Sequence, residues 1–104
     1  MNLLEKIGES AKAAVSAIAA YLDSENDQLK SAALKALGGI GESASQFIDQ
    51  IIDCMYDSRT DIRRSAASAL RRLESGLSDS HISEIKLFTK DSDQWVRNSL
   101  DFLT

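Results

Sequence analysis

The stretch DSRTDIRRSAASALRRL, from Asp57 to Leu73, decides the fold of this 104-residue chain. Two related stretches lie on either side of it: DSENDQLKSAALKALGGI begins at Asp23 and DSDQWVRNSLDFLT begins at Asp91. The three aspartates lie 34 positions apart, and a serine follows each of them. Self-similarity at a fixed period of this length predicts a repeat architecture in which each repeat is one supersecondary unit.

Each copy has the pattern of a turn followed by an amphipathic helix. After the Asp-Ser turn of the middle copy, the apolar residues Ile62, Ala66, Leu70 and Leu73 recur at i, i+4, i+8 and i+11. At about 100° per residue these side chains share one helix face. Because another apolar segment with helical spacing precedes each turn, the sequence predicts paired helices, and no pair can bury its apolar face alone.

A repeated pentapeptide indicates where the units begin. IGESA occurs at Ile7–Ala11 and again at Ile40–Ala44, where it joins the end of one helix to the start of the next. The first copy therefore predicts that Gly8 ends a short helix before the first repeat. The resulting segments are a helical stub at 1–8 and repeats at about 10–41, 43–75 and 78–104.

Among helical repeats of this period, the chain resembles the HEAT repeat, especially the short HEAT-like variety of the phycobilisome-lyase type. That pattern has an aspartate in the turn, an aliphatic residue and an arginine at the start of the second helix, then small residues and leucine. Two copies carry it: Asp57…Ile62-Arg63…Ala66…Leu70 and Asp91…Val96-Arg97…Leu100. The first copy departs from this pattern because it has Leu29-Lys30 at the pair, with lysine in place of the arginine. The signatures of tetratricopeptide and ankyrin repeats are absent.

The resemblance implies an all-α fold, a right-handed α-solenoid of about three helix pairs plus the stub. It also implies that turn aspartates and second-helix arginines bond across neighbouring units. A guanidinium suits this role because its donors can bridge carbonyl oxygens and a carboxylate. The residues expected in this structural role are Asp57, Arg63, Asp91 and Arg97. In such solenoids the second helices line a concave groove.

The composition argues against several classes of function. Twelve basic and sixteen acidic residues give a net charge of -4, which provides no overall attraction to phosphate or to anionic membranes. His81 is the only histidine and Cys54 the only cysteine, so there is no intrachain disulfide, no thiolate-rich zinc motif and no catalytic constellation in the sequence. No window approaches the 18 or so apolar residues of a membrane span. We expect a non-catalytic, cytoplasmic protein without a cofactor or a metal.

The first candidate for partner binding is a basic cluster. The segment Arg59–Arg72 holds five of the twelve cationic residues. Within it, Arg64 and Arg71 lie seven positions apart and opposite the stripe that begins at Ile62, so they are expected to point into the groove. They predict a site for an acidic protein segment or for nucleic-acid phosphates. The alternative is a solvated helix face balanced by nearby acidic residues, namely Asp57, Asp61 and Glu74.

The second candidate is aromatic. Trp95 and Phe102 occupy positions that are polar in the other two units, and their spacing of seven predicts a shared helix face. An exposed aromatic pair suggests docking of a further unit, a homodimer interface or a partner hot spot. The alternative is a local fold-back that hides both rings. Because Met1 is followed by a plausible capping stub, we favour a small self-associating chain over a segment of a longer array.

The sequence therefore predicts an interaction or scaffold module that binds a protein or peptide on the groove of second helices. The predicted contact residues are Arg64, Arg71, Trp95 and Phe102, and a homodimer is expected through Trp95 and Phe102. An accessory or lyase-like ligand-binding role is the alternative that the resemblance suggests. Nucleic-acid binding through the Arg59–Arg72 cluster is a further alternative, which the acidic net charge disfavours.

Overall fold

Most residues of the chain are helical in the computed structural model. The structure describes residues 3–103, with side chains from residue 10 onward. The α-helices are α1 (Leu3–Ala20), α2 (Asp27–Ile40), α3 (Ile48–Asp53), α4 (Thr60–Arg72), α5 (Asp79–Ile85) and α6 (Gln94–Ser99). Short 3-10 segments lie at Tyr21–Asp23, Gly41–Phe47, Cys54–Tyr56, Glu74–Gly76, Lys86–Phe88 and Asp101–Leu103. No strand occurs within residues 3–103, and the predicted all-α class is confirmed.

The helices form two layers of an elongated stack. Helix α2 packs against α1 and α4, α4 also packs against α3 and α6, and α3 packs against α5. The stack measures 50 × 30 × 17 Å, with the even-numbered helices in one layer and the odd-numbered helices in the other. This is the arrangement of an α-solenoid, whose right-handed sense stays a prediction. In the described part of the chain, no helix is both long and apolar enough to cross a membrane.

The turns before α4 and α6 are stabilised by the same side-chain hydrogen bond. The side chain of Asp57 accepts the amide hydrogen of Arg59 at 2.8 Å, and Asp91 accepts that of Asp93 at 2.9 Å. These bonds stabilise the turn and position the backbone for the helix that follows. In the first unit Asn26 caps α2 by accepting amide hydrogens at 2.9 and 3.1 Å.

One apolar core runs between the two layers. Its largest fully buried side chains are Leu34, Leu37, Ile48, Ile51, Ile52, Met55, Ile62, Leu70, Ile85, Val96 and Leu100. The predicted equivalence of Leu29 with Ile62 does not extend to burial, because Leu29 is 46% exposed and Ile62 is fully buried. Helix α4 packs against helices of units on both sides of it, whereas α2 has a neighbouring unit on one side only in the described structure.

Helix α1 corrects the predicted stub at 1–8. It runs from Leu3 through Gly8 to Ala20 without a break, so the stub and the first helix of the first repeat are one element. In the second copy of IGESA, by contrast, Gly41 has φ of 80° and ends α2. A glycine inside a helix costs only about 1 kcal/mol relative to alanine, and the alanine-rich segment after Gly8 favours helix strongly. Residues 1, 2 and 104, at the outer limits of the predicted stub and third repeat, lie outside the described residues.

Candidate functional site

A cleft of about 590 Å³ opens on the layer of even-numbered helices. Helices α2, α4 and α6 supply its lining: Asp27, Gln28, Ser31, Ala32, Lys35, Asp61, Arg64, Ser65, Ser68 and Trp95. This is the face on which the repeat pattern predicts a groove. Two of the four predicted contact residues, Arg64 and Trp95, are brought together here, whereas Arg71 and Phe102 are not part of the lining.

Small side chains form the floor of the cleft. The hydroxyl oxygens of Ser31 and Ser65 share a hydrogen bond of 2.6 Å between α2 and α4. The two helices approach so closely that a Cβ atom added at Gly38 would lie 3.1 Å from the Cα atom of Ala69. Because short side chains fill little of the space above this contact, a trough remains between the longer side chains on either side.

Trp95 forms the wall of the cleft on the side of α6. Its side chain is 57% exposed, and its indole nitrogen donates a long hydrogen bond of 3.4 Å to the hydroxyl of Ser68. It is the only tryptophan of the chain. A ring of this size offers a large contact area and loses little conformational entropy on binding, since it has only two rotatable side-chain bonds. Trp95 is therefore the strongest candidate anchor for a partner.

The polar residues of the cleft differ in whether they already have a partner. Two charged residues of the lining already have a partner: Asp27 accepts from Arg59, and Arg64 donates to Asp93. The side chain of Lys35, by contrast, is exposed and forms no hydrogen bond or ion pair with any residue that the structure describes. The same is true of the side-chain amide of Gln28. These two groups are available to a ligand without breaking a contact.

Arg64 connects α4 to the start of α6. Its Nε and Nη2 atoms donate to the carboxylate of Asp93 at 3.0 and 2.8 Å, and the same carboxylate caps α6 by accepting the amide hydrogen of Val96. The hydrogen bonds from the Arg64 guanidinium lower the pKa of Asp93 from its usual 3.8 to about 2. Arg64 therefore fixes the beginning of α6, and with it Trp95, against α4.

The two other predicted contact residues lie outside the cleft. Arg71 donates to Asp101 at 2.8 Å and to the carbonyl oxygen of Asn98 at 3.3 Å, with its side chain 52% exposed. Phe102 is half-buried and packs against the core. It does not form the predicted exposed pair with Trp95, because α6 ends at Ser99 and the chain continues in a 3-10 turn. The spacing of seven places two residues on one face only while the α-helix continues.

The basic cluster Arg59–Arg72 is largely neutralised inside the protein. Four of its five arginines form ion pairs: Arg59 with Asp27 and Asp57, Arg63 with Asp91, Arg64 with Asp93, and Arg71 with Asp101. Three of these acidic partners come from the third unit rather than from the helix itself. An arginine that is balanced by an adjacent carboxylate attracts a phosphate less strongly. The cluster is mainly a seam between units.

The aspartate and arginine ladder that the resemblance implies is present at this seam. Arg63 donates to the carboxylate of Asp91 at 3.0 Å and to the carbonyl oxygens of Asp57 and Ser58, both at 3.0 Å. Across the preceding seam Lys30 takes the place of the arginine, 3.2 Å from the carboxylate of Asp57. The side chains of these two ion pairs are mostly shielded from solvent. This burial is consistent with the structural role predicted for Asp57, Arg63 and Asp91; no such role was predicted for Lys30.

His81 has a structural role that no sequence motif indicates on its own. Its backbone amide donates to the Ser78 hydroxyl at 3.2 Å, while its Nδ1 atom accepts the amide hydrogen of Ser78 at 3.1 Å, which closes a capping box at the start of α5. Its Nε2 atom lies 2.9 Å from Asp49 of α3. The serine three positions before His81 is the signal from which the cap could have been predicted.

Cys54 is buried near Lys30 and Asp57, which pair across the first seam, between the first and second units. Burial raises the pKa of its thiol to about 11, so the thiol is protonated at neutral pH and a poor nucleophile. Across the described residues, no group of three or more histidine, cysteine, aspartate or glutamate side chains has the arrangement of a metal site.

Comparison with known proteins identifies the family of this chain. A family model described as HEAT repeats matches residues 14–101, a span that contains every residue lining the cleft. The match does not distinguish the phycobilisome-lyase subtype, which stays a prediction. A search of the curated proteins finds no match to this chain.

Proposed function

This chain belongs to the HEAT repeat family, whose members generally serve as protein-interaction scaffolds, and we propose that it binds a segment of a partner protein in the cleft of α2, α4 and α6. The observation that carries the proposal is the exposed ring of Trp95 at one side of a floor of small side chains, with Lys35 and Gln28 unengaged on the other. An aromatic anchor beside free polar groups is the arrangement found at binding hot spots.

The lining suggests what such a segment presents. An apolar side chain would pack on the ring of Trp95, because the ring is the largest apolar surface in the cleft. The ammonium group of Lys35 can donate three hydrogen bonds, and no described residue accepts any of them. A carboxylate or carbonyl oxygen of the partner would accept from this group. Gln28 can both donate to and accept from a peptide backbone. The partner is therefore an apolar segment with an adjacent acidic group.

Arg64 and Arg71 have different parts in this proposal. Arg64 acts as a positioning residue, since its carboxylate partner Asp93 caps the helix that carries Trp95. Arg71 lies beyond the cleft with its side chain 52% exposed, where it can contact the partner at the rim. Phe102 is half-buried and has no part in the contact.

The proposed role is non-catalytic. The HEAT repeat family is typically non-catalytic, and the two side chains of this chain that most often act as nucleophile and base have other roles here. Cys54 is buried with a raised pKa, and the ring nitrogens of His81 are occupied by Ser78 and Asp49. A cytoplasmic location belongs to the same proposal, and a single unpaired cysteine is compatible with a reducing compartment.

Site-specific photo-crosslinking tests the location of the partner. A photoreactive phenylalanine analogue is placed at Gln28 or at Lys35, which are exposed in the cleft, and at Gln50 as a matched control on the opposite layer. After irradiation in a native extract, we expect the same partner to be crosslinked from Gln28 and Lys35 but not from Gln50. Crosslinking of that partner from Gln50 alone would place the interface on the odd-numbered helices and overturn the proposal.

A further inference from the structure

One ion pair recurs at both seams of the stack. Lys30 lies 3.2 Å from Asp57 across the first seam, and Arg63 lies 3.0 Å from Asp91 across the second. In each case a cation from an even-numbered helix meets the turn aspartate of the next unit. Asp23 is the corresponding turn aspartate of the first unit. Among the described residues, the turn aspartate at one end of the series therefore has no cation, and the cation at the other end has no aspartate.

Arg97 is the cation at the open end. Its Nη1 atom donates to the carbonyl oxygen of Asp91 at 2.7 Å, just as Nη1 of Arg63 donates to the carbonyl oxygen of Asp57 at 3.0 Å. The guanidinium of Arg63 also reaches a carboxylate, that of Asp91. The guanidinium of Arg97 is exposed and has no carboxylate partner among residues 10–103. Arg97 thus makes the backbone contact of a seam arginine and has no acidic partner among the described residues.

A second cation lies beside Arg97. Lys90 directly precedes Asp91, as Tyr56 directly precedes Asp57. Tyr56 is directed at the following unit, where its hydroxyl donates to Glu84 at 3.0 Å and its ring meets Phe88 edge to face. Lys90 occupies the corresponding position, is exposed, and forms no ion pair with any described residue. Arg97 and Lys90 are therefore two exposed cations of the third unit that have no carboxylate partner among the described residues.

The outer face of the first unit is acidic at the matching positions. The carboxylate of Asp23 is exposed and forms no hydrogen bond or ion pair in the part of the chain that the structure describes. Glu25 corresponds to Arg59, which contacts the preceding unit through Asp27 and the carbonyl oxygen of Glu25. The carboxylate of Glu25 is likewise exposed and unpaired within the described residues. Two negative charges thus stand where a preceding unit would dock.

We propose that copies of this chain associate head to tail, with Arg97 and Lys90 of one copy meeting Asp23 and Glu25 of the next. The contact continues the ladder of Lys30–Asp57 and Arg63–Asp91 from one molecule into another. It is heterologous, since each copy uses two different surfaces, so further copies can add at either end. None of these four residues lines the cleft, and the contact does not depend on the proposed function.

Two charge reversals test this arrangement by sedimentation velocity or light scattering of the full chain over a range of concentrations. We expect the parent chain to self-associate at low salt and to dissociate as salt rises, because exposed charges are screened. Arg97→Asp alone and Asp23→Arg alone each weaken association at least tenfold. Mixing the two variants restores a complex, because the unchanged Asp23 of the first meets the unchanged Arg97 of the second.

Matched controls separate this contact from others. Lys35→Glu reverses a charge that lies in the cleft, and Trp95→Ala removes the ring that the sequence predicts at a homodimer interface. We expect both to leave the head-to-tail association unchanged. Circular dichroism verifies that each variant is folded. A parent chain that remains monomeric up to high concentration overturns the proposal. So does a mixture of Arg97→Asp and Asp23→Arg that associates no better than either variant alone.

Discussion

The two seams of the stack hold neighbouring units together in different ways. At the first seam α2 and α4 pack through small residues, and a Cβ atom at Gly38 would lie 3.1 Å from the Cα atom of Ala69. At the second seam long side chains bridge α4 and α6: Arg63 to Asp91, Arg64 to Asp93 and Arg71 to Asp101. The first seam therefore combines close backbone packing with the ion pairs of Lys30 with Asp57 and of Arg59 with Asp27, whereas three arginine–aspartate pairs bridge the second.

This difference explains where the cleft lies. The small side chains at the first seam, Ser31 and Ser65 among them, leave open space above α2 and α4. The arginines of the second seam hold α6 in place, so that Trp95 borders that space. The first seam thus provides the floor of the candidate site and the second seam supports its wall. Variants at each seam therefore separate the two contributions.

The largest expected difference concerns the seam cations. Arg63→Met leaves the carboxylate of Asp91, 8% exposed, without its cation and also removes two bonds to carbonyl oxygens. Lys30→Met leaves Asp57 still paired with Arg59 at 2.8 Å. We expect losses in unfolding free energy of about 2–3 kcal/mol for Arg63→Met and about 1 kcal/mol for Lys30→Met. Urea denaturation at constant slope measures both. Equal losses would contradict the distinction between the seams.

Two adjacent glycines test the close packing of the first seam. Alanine at Gly38 gains helix propensity but presses a methyl group against the backbone of Ala69, which cannot move as a side-chain tip can. We expect a net loss of about 1 kcal/mol. Alanine at Gly39 meets only the end of Arg72, at 3.9 Å, and should gain about 0.5 kcal/mol. Thermal unfolding of the two variants reports opposite signs, and a shared sign would show that the seam tolerates wider spacing.

The smallest effect is a pH dependence at the second seam. Because the folded-state pKa of Asp93 is depressed to about 2, its pair with Arg64 contributes stability above pH 3.8 that is lost as the pH falls toward 2. We expect Arg64→Gln to lower stability at neutral pH and to flatten its decline in this acidic range. Denaturant midpoints at several acidic pH values measure the change. Lys35→Gln, which removes a cation without a carboxylate partner, is the control, and an unchanged decline in Arg64→Gln would contradict the assignment.

The fold was predictable because its signals recur. Three turn aspartates at one spacing and the apolar stripe from Ile62 to Leu73 are enough to define a helical repeat. The helix boundaries were not predictable in the same way. The pentapeptide IGESA is helical around Gly8 and turns at Gly41, so five identical residues take two conformations in two different sequence contexts.

The candidate site was predictable only in part. The groove position of Arg64 and Trp95 follows from the face of the helix that they occupy. The partner of Arg64 does not, because Asp93 lies 29 positions later, in the next unit. Lys35 and Gln28 are ordinary exposed helix residues in sequence, and their availability depends on contacts that only the folded chain defines.

The proposed binding of a partner in the cleft is tested most directly at Trp95. The affinity of the partner that crosslinks from Gln28 is measured for the parent chain, for Trp95→Ala and for Leu87→Ala. Leu87 is 70% exposed and lies outside the cleft, so it controls for loss of exposed apolar area. We predict that Trp95→Ala weakens binding about 30-fold, as expected for a hot-spot residue, and that Leu87→Ala leaves it unchanged. A folded Trp95→Ala variant that binds with the affinity of the parent would contradict the account.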